Sequence, residues 1–149
     1  MFKNYRFRFN IDSLALFLII MLPNFIWFAI PAPNDILRTD SLTPWIDTIA
    51  SVCQVLMIAA LCILANREQK KRNLTPWMIG VLIFCLLYFI SWGAYYVGMA
   101  NTPVILGLTI PPCLAFMFFA IDKKNAIALI PCVIFTLCHV IYAAVNFIV

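Results

Sequence analysis

Charged residues are scarce in this chain, and their scarcity excludes an ordinary soluble domain. Of its 149 residues, 11% are charged and 65% are hydrophobic, and the mean hydropathy is +1.02. A typical soluble domain has about 25% charged and about 45–50% apolar residues. Because so short a chain could not bury this much apolar surface in one core, we expect a lipid bilayer to surround it.

The sequence also lacks the residue patterns of common catalytic and metal sites. It has one histidine and four glycines, with no nucleophile elbow, Gly-rich phosphate loop or His-Glu metal motif. Its six cysteines, at positions 53, 62, 85, 113, 132 and 138, have no Cys-x-x-Cys spacing and fall within apolar runs. Such cysteines usually act as small buried hydrophobes. We therefore predict no metal, no cofactor, no catalytic residue and no disulfide framework.

Long apolar runs divide the chain into five spans, since a helix needs about 20 mostly apolar residues to cross a bilayer. The predicted spans are Ile11–Ile30, Pro44–Ala65, Pro76–Gly98, Pro103–Ile121 and Asn125–Ile148. These runs do not alternate apolar and polar residues as barrel strands do. A cleaved signal peptide is a weaker alternative for the first run, which exceeds the usual length of about 7–15 residues. We predict an all-α, polytopic bundle of five transmembrane helices that forms one domain over residues 1–149.

Basic residues are distributed unequally between the predicted loops. One side carries Lys3, Arg6, Arg8, Arg67, Lys70, Lys71, Arg72, Lys123 and Lys124. The other side carries Arg38, together with Asp35 and Asp40. Because short cytoplasmic loops collect Lys and Arg, we predict a cell-membrane protein with a cytoplasmic N-terminus and an extracytoplasmic C-terminus. The net charge of +4 reflects this bias and does not indicate a nucleic-acid partner.

The tetrapeptide Leu-Thr-Pro-Trp occurs twice, and a looser copy follows at Asn101. Thr43, Thr75 and Thr102 each precede a predicted span, and a proline comes next in each case. A threonine hydroxyl can cap the free N–H groups of a first turn, and proline is favoured at the first helical position. Because the sequences after the motif differ, we interpret it as a helix-start signal. An inverted-repeat transporter is the weaker alternative.

Two adjacent prolines lie in the middle of the fourth span. Pro111 and Pro112 have no N–H group, so the carbonyls of Gly107 and Leu108 lose their helical partners. We predict that the fourth helix bends or unwinds here. Coordination of an ion or substrate by the freed carbonyls is the alternative.

Polar residues within the spans are costly in lipid and tend to face the bundle interior. Asp47, Ser51 and Gln54 share one face of the second span by their i, i+4, i+7 spacing. The candidate ligand-binding residues are Asn24, Asp47, Gln54, Tyr88, Trp92, His139 and Asn146. We expect them to converge on one outward-facing cavity between the first, second, third and fifth helices.

An aromatic cavity with a few polar groups is typical of a small-molecule site. We therefore predict that the protein binds or helps to move a small, largely apolar ligand. The alternative is that the polar groups bond one another across helices. The chain would then be an accessory subunit that packs against a larger membrane protein or a second copy. An intramembrane enzyme is a second and weaker alternative.

The segment ALIPCVIFTLCHVIYAAVN in the last span resembles the tryptophan-rich sensory protein (translocator protein) family. The resemblance implies a five-helix bundle that binds tetrapyrroles or sterol-like ligands in an aromatic pocket. It covers one span, and LTPWIDTIA lacks the paired prolines of the family's first-loop signature. The resemblance therefore adds a hydrophobic-ligand receptor to the functions considered, without assigning the chain to the family.

Overall fold

Five long helices account for most of the computed structural model, which describes residues 4–68 and 74–148. They are α1 (Ile11–Ala29), α2 (Pro44–Ile63), α3 (Pro76–Tyr96), α4 (Thr102–Asp122) and α5 (Ala126–Ala143), and α5 continues as a π-helical turn over Ala144–Ile148. Each is long and apolar enough to cross a membrane. The predicted all-α bundle of five spans is confirmed, and the chain is a multi-pass membrane protein.

A two-stranded antiparallel sheet lies at one end of the bundle. It pairs β1 (Tyr5–Phe7) with β2 (Leu64–Asn66). The second span was predicted to continue to Ala65, but α2 ends at Ile63. The chain before α1 supplies the reason, because its N–H groups bond the last carbonyls of α2, from Arg8 to Ile63 and from Asn10 to Cys62. Carbonyls at a helix end need such external donors.

The two ends of the bundle differ in charge. We call the end with β1, β2 and residues 122–125 the sheet end, and the end with residues 30–43 and 97–101 the loop end. The described basic residues at the sheet end are Arg6, Arg8, Arg67, Lys123 and Lys124, and Arg38 lies at the loop end. Lys3, Lys70, Lys71 and Arg72, which also entered the charge argument, lie outside the described residues.

Asn125 fastens the sheet end. Its side chain is 2% exposed, and its Nδ2 donates to the carbonyls of Ala60 and Leu64 at 3.0 and 2.9 Å. Its Oδ1 accepts a hydrogen bond from the N–H of Ala128 at 3.1 Å and so caps α5. One buried amide therefore joins the end of α2 to the start of α5.

The three threonine motifs start their helices in different ways. Thr75 caps α3 as predicted, since its hydroxyl accepts from the Met78 N–H at 3.2 Å. The prediction for Thr102 was wrong by one residue, because α4 begins at Thr102 and Asn101 is its cap. The prediction for Thr43 was also wrong. Its side chain makes no capping bond, because the hydroxyl accepts a hydrogen bond from Asn146 instead.

The helices surround a central space in the order α1, α2, α5, α4, α3. A larger share of α4 is buried than of any other span, whereas the outer faces of α2, α3 and α5 carry exposed side chains such as Val55, Leu86 and Leu137. An apolar exterior of this kind suits contact with lipid. The six cysteines are free thiols, and five of them are buried within the bundle.

The fourth helix was predicted to bend or unwind at its two prolines, and it does not unwind. α4 is a continuous helix through Pro111 and Pro112, both of which are buried. α3 approaches α4 closely at Gly107. A Cβ atom added to Gly107 would overlap the Ser91 hydroxyl and lie 2.9 Å from the Ser91 Cβ.

Candidate functional site

Six of the seven candidate residues line one cavity of about 370 Å³. The six are Asn24, Asp47, Gln54, Tyr88, Trp92 and His139. They come from α1, α2, α3 and α5, as their helical spacing predicted. The cavity extends from the loop end toward the middle of the bundle, where Gln54 and His139 lie.

A fifth helix, α4, also lines the cavity, although the sequence-based prediction did not include it. Five of its residues, Ile105, Leu108, Thr109, Pro112 and Phe116, line the space. The cavity is thus enclosed by all five helices, and the expected four-helix arrangement was incomplete. Polar residues were the basis of that prediction, and this face of α4 is nearly all apolar. The sequence feature that marked this face of α4 was the proline pair, because Pro112 lacks the N–H group to which the Leu108 carbonyl would bond.

Asn24 and Tyr88 bond to each other across the cavity wall. The Nδ2 of Asn24 donates to the Tyr88 hydroxyl at 2.7 Å and to the Ile20 carbonyl at 3.2 Å. The first bond joins α1 to α3. These two residues therefore act as interhelical fastenings.

Trp92 presents a buried donor that has no partner. Its side chain is 5% exposed, and its Nε1 has no hydrogen-bond partner among the described residues. The Tyr88 hydroxyl lies close to this N–H group, but the two atoms do not have the geometry of a hydrogen bond. The ring of Tyr95 packs on the indole edge to face, with centroids 5.7 Å apart, and so restrains it. Because an unpaired buried N–H costs about 1–3 kcal/mol, a ligand acceptor at this position would be stabilised.

The polar side chains on one face of α2 also lack hydrogen-bond partners in the described chain. The side chains of Asp47, Ser51 and Gln54 all line the cavity, and none of them hydrogen bonds to any described residue. Asp47 interacts electrostatically with His139 and Tyr142 on α5. A carboxylate, a hydroxyl and an amide are thus all available to an occupant of the cavity.

His139 is held by stacking. Its ring lies nearly parallel to those of Phe135 and Tyr142, with centroids 5.1 and 6.3 Å away. Phe135 and Tyr142 are themselves cavity-lining residues. Neither imidazole nitrogen bonds to a described residue. The ring therefore has a fixed orientation and free hydrogen-bonding capacity.

Asn146 lies apart from the cavity lining. Its Nδ2 donates to the Thr43 hydroxyl and to the Tyr142 carbonyl, both at 2.9 Å. Its Oδ1 accepts from the Leu42 N–H at 2.6 Å. This side chain fastens the start of α2 to the end of α5, and we no longer place it among the ligand contacts.

The loop between α1 and α2 is anchored by Asp35, which the sequence-based prediction had treated only as a companion of Arg38. Its carboxylate accepts hydrogen bonds from Trp27 Nε1 and the Tyr95 hydroxyl at 2.9 Å and from Arg38 Nε at 2.8 Å. Desolvation alone would raise the pKa of Asp35, but these bonds outweigh it, so the pKa lies below its ordinary value. The same loop places Leu37 against the cavity.

No protein-family model matches the chain, and neither the curated proteins nor the solved structures include a match. An intramembrane enzyme could use a serine nucleophile activated by His139. In the described structure neither Ser51 nor Ser91 bonds to His139, and the Ser91 hydroxyl donates to the Leu87 carbonyl at 2.9 Å. The arrangement offers a shaped, aromatic cavity with unpaired polar groups, which suits binding.

Proposed function

We propose that the protein binds, or helps to move, a small, largely apolar ligand through this cavity. The supporting observation is the buried Nε1 of Trp92, which has no hydrogen-bond partner in the described chain. The half-buried side chains of Gln54 and His139 line the same cavity and bond to no described residue. Polar groups inside a bundle are kept at a cost. A ligand that bonds to them would offset that cost.

The same observation weighs against a purely structural role for these side chains. Structural polar groups bond across helices, as Asn24 does with Tyr88 and Asn146 with Thr43. Trp92, Gln54 and His139 lie on three different helices around one space, yet do not bond to one another. An accessory subunit with no ligand would gain nothing from that arrangement.

The charge difference between the ends supports a direction for the cavity. The sheet end carries five described basic residues, including Arg6, Arg67 and Lys123, whereas the described loop end carries Arg38. By the positive-inside rule, we place the sheet end and the N-terminus in the cytoplasm of a cell-membrane protein. The cavity then approaches the extracytoplasmic surface.

A cavity-filling variant tests the proposal. Ala50 lines the cavity and is 6% exposed, so Ala50→Phe should occupy the ligand space. Val55, on the same helix, is 68% exposed on the lipid side, and Val55→Phe is the matched control. The purified proteins are extracted with organic solvent, and the small molecules released are compared by mass spectrometry.

We expect a compound that co-purifies with the wild type and with Val55→Phe but is depleted from Ala50→Phe. The same set of lipids in all three extracts, with no compound depleted by Ala50→Phe, would contradict a ligand site and favour the accessory-subunit alternative. A thermal unfolding curve for each purified variant shows that the comparison is made between folded proteins.

A further inference from the structure

The charge of the cavity wall comes from one carboxylate. Among the described residues that line the cavity, Asp47 alone has a full formal charge, and neither Lys nor Arg is present. The Asp47 side chain has no hydrogen-bond or salt-bridge partner in the described chain. Because no basic side chain lines the cavity beside it, this carboxylate gives the cavity wall a negative potential.

The basic residue of the loop end is already engaged elsewhere. Arg38 donates to the Asp35 carboxylate at 2.8 Å and to the Trp27 carbonyl at 2.5 Å. Its guanidinium also lies over the Trp27 ring, 4.9 Å from the centroid. Arg38 therefore stabilises the loop between α1 and α2 and forms no salt bridge with Asp47.

Aromatic rings supply much of the remaining wall. Seven Phe, Tyr and Trp side chains line the cavity, among them Phe28, Tyr142 and Phe147. The faces of such rings attract cations through their quadrupoles, and desolvated examples are worth about 2 kcal/mol or more. A carboxylate within an aromatic cavity is a combination that recognises an organic cation.

We propose that the ligand is a monovalent organic cation with an apolar body and one hydrogen-bond acceptor. Its charged group would lie against Asp47 and the aromatic rings near it, and its acceptor would bond to the unpaired Nε1 of Trp92. This inference rests on the proposed function, and it adds the charge and polarity of the ligand.

Two esters of the same shape test the charge. Benzoylcholine has a phenyl ring, an ester acceptor and a quaternary ammonium group. In 3,3-dimethylbutyl benzoate a carbon atom replaces the nitrogen, so the charge is lost while the shape is kept. Binding of each ester to the full chain in lipid nanodiscs is measured by calorimetry, with empty nanodiscs subtracted. We expect benzoylcholine to bind at least about tenfold more tightly than its neutral counterpart.

Carboxylate variants assign the preference to Asp47. Asp47→Asn should weaken benzoylcholine binding by at least about tenfold and change the neutral ester by less than about twofold. Asp47→Glu, which keeps the charge, should retain the preference for the cation. Asp40→Asn is the control, because Asp40 is an exposed loop carboxylate outside the cavity lining.

The outcomes separate the two proposals. Equal binding of the two esters, or an equal loss of both in Asp47→Asn, would overturn the cation inference and leave a binding cavity. If only the neutral ester binds, and Ala50→Phe abolishes that binding, the cation inference is likewise overturned and the binding cavity remains. Failure of both esters to bind the folded wild type would overturn the cation inference, whereas the proposed binding site is decided separately by the co-purification experiment with Ala50→Phe.

Discussion

Tyr88 and Trp92 lie one helical turn apart on α3, and only the polar atom of Tyr88 is hydrogen bonded within the described chain. The Tyr88 hydroxyl accepts a 2.7 Å hydrogen bond from Asn24 on α1, whereas the Trp92 Nε1 has no partner in the described chain. The ring centroids are 6.3 Å apart. The same wall thus contains a structural bond and a free donor, so structural and ligand-directed polar groups can be tested separately.

Gln54→Leu should leave the free energy of unfolding within about 1 kcal/mol of the wild type. The amide of Gln54 bonds to no described residue, so replacing it with an apolar group of similar size breaks no protein hydrogen bond. The measurement is reversible unfolding in mixed detergent micelles, with the circular dichroism signal as the readout.

Asn125→Leu is the matched control for that change. Asn125 is 2% exposed and bonds to the Ala60 and Leu64 carbonyls and to the Ala128 N–H. Leucine would leave these backbone groups unpaired, at about 1–3 kcal/mol for each group that stays buried. We expect Asn125→Leu to be several kcal/mol less stable than Gln54→Leu. Similar losses in the two variants would mean that Gln54 is also structural.

Asp35→Asn should destabilise the loop end by about 1–3 kcal/mol at pH 7, because the ionised carboxylate accepts several hydrogen bonds there. The pKa of Asp35 is lowered on folding from its ordinary value of 3.8. Its contribution is therefore present above pH 3.8 and is lost as the pH falls through the lower folded value.

Thermal unfolding at several pH values measures this effect as the difference between wild type and Asp35→Asn. The difference should be largest near neutrality and shrink below pH 3.8. Exposed Asp40 provides the control, and Asp40→Asn should change stability by less than about 0.5 kcal/mol. A difference for Asp35→Asn that grows on acidification would contradict the assigned network.

Gly107→Ala should destabilise the contact between α3 and α4 by about 1–3 kcal/mol, because the added methyl group overlaps Ser91. Ser91→Gly removes both atoms that the methyl group would meet. The double variant should therefore recover part of the loss, and a double-mutant cycle measures the coupling. Additive effects of the two changes would show that the helices are not in such close contact at this position.

Single cysteines at positions 40 and 67 should react with a membrane-impermeant maleimide from opposite sides of the membrane. Asp40 belongs to the loop end and Arg67 to the sheet end, and both are exposed. The six native cysteines are first replaced. In intact cells we expect Asp40→Cys to be labelled and Arg67→Cys to be protected until the membrane is permeabilised. Labelling of both in intact cells would contradict the model.

The sequence was sufficient to predict the helices and much of the cavity lining for a physical reason. Each span is nearly all apolar, so its few polar residues mark the face that avoids lipid. On α2, for example, the spacing of Asp47, Ser51 and Gln54 placed all three on the side that lines the cavity. The helical spacing of polar residues on separate spans was therefore enough to predict that they line a common cavity.

Other features depend on contacts that a single sequence does not reveal. The cavity face of α4 is nearly all apolar, so Pro112 was interpreted as a site where the helix bends or unwinds and was not placed in the cavity wall. Asn146 shares its helix face with His139, but the N–H of Leu42 and the hydroxyl of Thr43 lie close enough to engage it. The pairing of β1 with β2 joins residues far apart in the chain.

The indole N–H signal of Trp92 gives the most direct test of a ligand site in the cavity. The chain has four tryptophans, so a ¹H–¹⁵N spectrum of the protein in nanodiscs contains four indole signals, and Trp92→Phe identifies the relevant one. Titration with benzoylcholine should move the Trp92 proton downfield and saturate, as its free donor acquires an acceptor. Trp45, which is 81% exposed, should not respond. A Trp92 signal that stays in place throughout the titration, or that moves equally in Ala50→Phe, would contradict ligand binding in the cavity.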